Sequence, residues 1–103
     1  MTFDIVRGTT PDIVYSFQTV DPATITSAKL TIRQKKTVTL TKELTDATVG
    51  SSSLSFRLTQ SETLAIGGPA EIWLNWLTSA GVRGAAKKLE VNFIYNPVNE
   101  VMT

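Results

Sequence analysis

A chain of 103 residues, 42% hydrophobic and 18% charged, suits one globular domain and is too apolar for intrinsic disorder. Its formal net charge of +1 gives no global field towards nucleic acid or an anionic membrane. With neither histidine nor cysteine, it lacks the commonest general base, the usual zinc ligands and any disulfide framework.

The N-terminus MTFDIVRG has no basic region followed by a long apolar run, so no signal peptide is expected. Uninterrupted apolar runs such as Ile72-Trp73-Leu74 are far short of the ~20 residues that span a bilayer. The segment 2–11 opens extended and breaks at Gly8 and Pro11. DIVYSFQT, 12–19, alternates, with Ile13, Tyr15 and Phe17 on one face. DPATITS, 21–27, is turn-rich around Pro22. AKLTIRQ, 28–34, sets Ala28, Leu30 and Ile32 inward, and VTLTKEL, 38–44, offers Val38, Leu40 and Leu44 to the core. These two runs form a hairpin. Lys35-Lys36 lacks the Asn-Gly chemistry of the tightest turns, which predicts a longer loop there.

The loop TDATVGSSS, 45–53, has room for a short strand at 47–49. LSFRL, 54–58, then points Leu54, Phe56 and Leu58 inward. In TQSETLAI, 59–66, Thr59 with Glu62 three residues on is a capping-box pattern, predicting a helical turn stopped by Gly67-Gly68-Pro69. AEIWLNWLTSAG, 70–81, puts Ala70, Ile72, Leu74 and Trp76 on one face and Glu71, Trp73, Asn75 and Leu77 on the other. After a turn at Ser79-Ala80-Gly81 the chain returns as AKKLEVNFIY, 86–95, with Leu89, Val91 and Phe93 inward. The expected fold is all-β: a single antiparallel immunoglobulin-like sandwich of about seven strands with one short helical turn near 59–66. An open barrel of similar size is the other solution. The domain spans 1–103, with a core of about 5–95 and a tail of 96–103 in which Pro97 discourages further pairing.

Catalytic signatures are missing. No G-x-S-x-G elbow, S-x-x-K pair, phosphate loop or EF-hand spacing occurs. The nine carboxylates are dispersed, leaving a glycosidase-like pair assembled in space as the one enzymatic arrangement open to them. No enzyme, metal or cofactor is therefore expected. Lys35-Lys36 and Lys87-Lys88, with Arg33 and Arg83 nearby, make either a phosphate-contacting stripe or, as the net charge favours, solubility and edge protection.

Trp73 is the anomaly. Its parity matches Glu71 and Asn75, so the helical turn or the tail covers it, or it meets a partner chain together with Leu77. Glu71, Trp73, Asn75 and Leu77 are the interface candidates. A third option is a carbohydrate-stacking platform formed by Trp73 with Asn75 and Asn92.

Three stretches, RGTTPDIVYSFQ, LTQSETLAI and EIWLNWLTSAGVRGAAKKLEVNF, occur in an order that resembles small tail- and baseplate-associated proteins of phages and prophages of Gram-positive bacteria. Their strand pattern is similar to that of the N-terminal domain of phage baseplate upper proteins, over about residues 5–95. The resemblance implies a virion-associated β-sandwich without catalytic residues. It would contact other virion proteins or itself, in the virion or in the bacterial cytoplasm during assembly. Two positions depart from the pattern: Lys35-Lys36 replaces an Asn/Gly turn, and Trp73 stands where a polar residue is usual.

Overall fold

The computed structural model describes residues 2–103. In chain order the strands are β1 (Thr2–Val6), β2 (Asp12–Ser16), β3 (Ile25–Gln34), β4 (Thr37–Glu43), β5 (Ala47–Val49), β6 (Ser53–Arg57), β7 (Gly68–Thr78), β8 (Arg83–Ala85) and β9 (Leu89–Ile94). Among the described residues a single α-helix, α1 (Gln60–Ala65), lies between β6 and β7. The strands form two layers. One sheet runs β1-β9-β7-β3-β4, with β8 also pairing β7, and the other runs β2-β6-β5.

Period-two alternation explains which faces meet. Leu30 and Ile32 of β3, Ile72 and Leu74 of β7, and Val91 and Phe93 of β9 point from the larger sheet into the core. Ile13 and Tyr15 of β2 and Leu54 and Phe56 of β6 meet them from the smaller one. The sandwich expected from the sequence is the fold observed. Trp76, on the inward parity of β7, packs edge-on to Phe17, with ring centroids 5.0 Å apart and planes at 86°.

The capping box closes α1 as its spacing predicts. Thr59 Oγ1 accepts from the Glu62 amide at 3.2 Å, and Glu62 Oε1 accepts from the Thr59 amide at 2.8 Å. Glu62 also pairs with Lys42 of β4 at 2.8 Å. Thr63 is the one buried polar residue among those described. Its Oγ1 accepts from the Gly8 amide at 2.9 Å and donates to the Thr9 carbonyl at 2.8 Å, tying the β1–β2 loop to the helix.

Several local expectations need correction. The sandwich is not wholly antiparallel: β1 runs parallel to β9, from Thr2 opposite Glu90 to Val6 opposite Ile94. Alternation marks a strand without marking its partner, and here the chain crosses layers between β1 and β2 through Gly8, at φ 86°, and Pro11. Among the described residues nine strands stand where about seven were expected, because the short β5 forms within the 45–53 loop and the return after β7 is split. β8 pairs Asn75–Leu77 and β9 pairs Gly68–Ile72, so residues 86–88 belong to neither.

The β3–β4 hairpin has no long loop. Lys35 and Lys36 alone close it, both left-handed at φ 48° and 68°, which is the two-residue geometry usually reserved for Asn-Gly. Val38 does not enter the core and is 55% exposed. A register shift opposite Ile32 and Arg33 leaves Thr39 as the extra residue, so Leu40 stays with inward Ile32 while Val38 is carried to the face of Arg33.

Candidate interaction face on the larger sheet

Glu71, Trp73, Asn75 and Leu77 alternate with buried Ala70, Ile72 and Leu74, so all four sit on the outward face of β7. The sheet register supplies their neighbours. Across β3, Arg33 opposes Glu71, Thr31 opposes Trp73, Lys29 opposes Asn75 and Ser27 opposes Leu77. On the other side Glu90 of β9 opposes Glu71, and Arg83 of β8 opposes Leu77.

Glu71 is the hub of this face. Its Oε1 accepts from Arg33 Nη2 at 3.0 Å and from Trp73 Nε1 at 3.3 Å, and its Oε2 accepts from Lys88 Nζ at 2.8 Å. These donors, Lys88 foremost, then Arg33 and Trp73, hold the Glu71 carboxyl down to about 2. The same hydrogen bond raises the Lys88 ammonium above its ordinary value. The Arg33 guanidinium lies 5.8 Å from the centroid of the Trp73 ring, within cation–π range. Trp73 is thus half-buried under its own neighbours and fixed in direction by Glu71. Leu77 remains 40% exposed. Asn75 Oδ1 accepts from Arg83 Nη2 at 3.3 Å.

Neither the helical turn nor the tail is what covers Trp73. Lys42, the partner of Glu62, stands opposite inward Leu30, which puts α1 on the core side of the sheet. The tail meets the helix instead: Gln60 Nε2 donates to the Met102 carbonyl at 3.0 Å, and Gln60 Oε1 accepts from the Met102 amide at 2.7 Å.

At one end of this face lies a cleft of about 600 Å³ lined by Arg33, Lys35, Lys36, Pro69, Glu71 and Glu90, among others. It brings two carboxylates together, the arrangement a glycosidase would need. Glu71 is held ionised there by three donors, Lys88 foremost, then Arg33 and Trp73. Lys88 also lies 3.7 Å from Glu90, so the pair belongs to an ion-pair network. Among the described residues no three His, Cys, Asp or Glu side chains group as a metal site, and no helix is long and apolar enough to cross a membrane.

The chain matches no known protein family and no curated protein sequence. It is similar in structure to the immunoglobulin-like domain of mouse leukocyte-associated immunoglobulin-like receptor 1, solved as a strand-swapped dimer. The two share 13% sequence identity with a TM-score of 0.57, over 90% of this chain and 88% of that one. The fold is immunoglobulin-like. At this identity the likeness concerns fold alone.

The sequence missed one residue that shapes the end of the sheet away from the cleft. Gly84 of β8 faces Trp76, and a Cβ there would lie 2.4 Å from the indole ring. Only the register of an unpredicted strand reveals that contact. Arg33 and Lys88 were visible as basic residues, but their convergence on Glu71 depends on cross-strand pairing that periodicity does not supply.

Proposed function

We propose that this protein is a non-enzymatic structural or assembly domain that works by protein–protein contact, as a component of a phage or prophage tail or baseplate. The observation that carries the contact is Trp73. It lies on the outward face of a central strand, oriented by Glu71 and Arg33, with exposed Leu77 farther along the same face beyond Asn75. A large aromatic held in one orientation before binding loses little entropy on docking, which is what an interface anchor requires. The virion setting is supported by the resemblance of the three sequence stretches, and a compact β-sandwich with an ordered outer face suits repeated packing in a symmetric ring. Protein contact is favoured over sugar stacking because Arg33 already stands against the Trp73 ring and Arg83 engages Asn75.

Sedimentation velocity across a wide concentration range tests self-association, with Trp73→Ala in parallel and circular dichroism to verify folding. The expected result is concentration-dependent association of the native chain that the substitution abolishes. A native chain that stays monomeric at the highest concentration overturns the self-association this proposal expects.

A further inference from the structure

The hairpin between β3 and β4 is closed by two consecutive lysines in the left-handed region. Asn-Gly would close the same turn without strain, so folding gives no reason for lysine at either position. Backbone strain of this kind collects at functional positions. Here it sets two side chains at the cleft of about 600 Å³, where Arg33 also contributes to the lining.

The acids in that cleft are committed elsewhere: Glu71 to Arg33 and Lys88, and Glu90 to Lys88. Among the described residues neither Lys35 nor Lys36 has a carboxylate within ion-pair distance. With Arg33 paired to Glu71, and Lys88 to Glu71 and Glu90, Lys35 and Lys36 are the cations of the cleft lining left without an ion-pair partner among the described residues.

We propose that this corner is a carboxylate-binding site for an acidic segment of the partner protein, with Lys35 and Lys36 as the binding residues. The proposal names the partner's chemistry under the protein-contact function above and rests on it. A peptide suits the corner better than a nucleic acid does. Glu71 and Glu90 would repel a continuous phosphate backbone, while a peptide can place separate carboxylates against the two ammonium groups and keep clear of the acids. The aromatic ring near the corner already has Arg33 against it, so no bare stacking platform is offered to bases.

The test uses the full chain, 15N-labelled, titrated at low ionic strength with a hexaglutamate peptide and with hexaglutamine as control. Hexaglutamate is expected to shift the amides of Arg33, Gln34, Lys35, Lys36, Ala70 and Glu71, and the shifts should shrink as salt is added. The double substitution Lys35→Asn/Lys36→Gly relieves the turn. It should therefore unfold at a higher temperature than the native chain while losing roughly tenfold or more in hexaglutamate affinity. Equal affinity in that variant, no shift at residues 33–36, or tighter binding of a single-stranded thymidine dodecamer overturns the proposal. Because the readout is local to the corner, its failure is separable from a failure of self-association at Trp73.

Discussion

Glu71 concentrates the electrostatics of the outward face in one carboxylate. Its folded value of about 2 lies below the ordinary 4.5, so it binds protons less readily folded than unfolded. The stabilisation it provides is complete above pH 4.5 and is lost as pH falls towards 2. Glu71→Gln should flatten the loss of stability across that window, read as the urea midpoint against pH, with little change in slope above it. The same substitution leaves Arg33 and Lys88 without their shared anion and should alter the emission of Trp73. Gly84 makes a steric prediction of another kind. A methyl group there must displace the Trp76 ring, 2.4 Å away, and with it the edge-on contact to Phe17. Gly84→Ala should cost about 1–3 kcal/mol in urea unfolding and weaken the near-ultraviolet dichroism of the indole.

At the scale of elements, α1 shows how little sequence is needed when a local rule is complete. Thr59 and Glu62 satisfy each other's backbone donors, and the spacing alone predicted it. Thr59→Ala should cost about 1 kcal/mol and speed amide exchange over residues 60–65, leaving β6 protected. Alternation was equally sufficient for β6, where Leu54 and Phe56 are fully buried, and for the shared face of Glu71, Trp73, Asn75 and Leu77 on β7. It failed wherever the answer depended on a second strand. The position of Val38 follows from a bulge that shows only when β4 is laid against β3. The three residues of β8 are too few to carry a period, and they exist as a strand because the long β7 has a free flank beyond Ile72. The Lys35-Lys36 turn misled because turn preferences describe the unstrained solution, whereas the flanking strands impose this one. Glu71 itself was identifiable, but its three donors come from β7, from β3 and from the segment before β9, so the site became legible only with the register.

The whole molecule holds its two sheets together without a disulfide, since the chain has no cysteine, and its closing contact joins the two ends of the sequence. β1 pairs with β9 across almost the full chain length, and it does so at the edge of the larger sheet. Closing so long a loop is entropically costly until the intervening strands are in place. The central pairings of β3 with β4 and with β7 need shorter loops and bury more, so the expected order of assembly has them form a platform on which β1 docks last. Ile5, only 5% exposed, is the residue by which β1 enters the core. Ile5→Ala should lower stability by about 2–5 kcal/mol. If β1 docks after the rate-limiting step, nearly all of that loss appears in unfolding, which should accelerate roughly thirtyfold or more while the refolding rate changes less than about twofold. Stopped-flow chevrons of the two proteins decide this. A refolding limb that slows in proportion to the lost stability would place the β1–β9 contact inside the folding nucleus, and the order of assembly would have to be reversed.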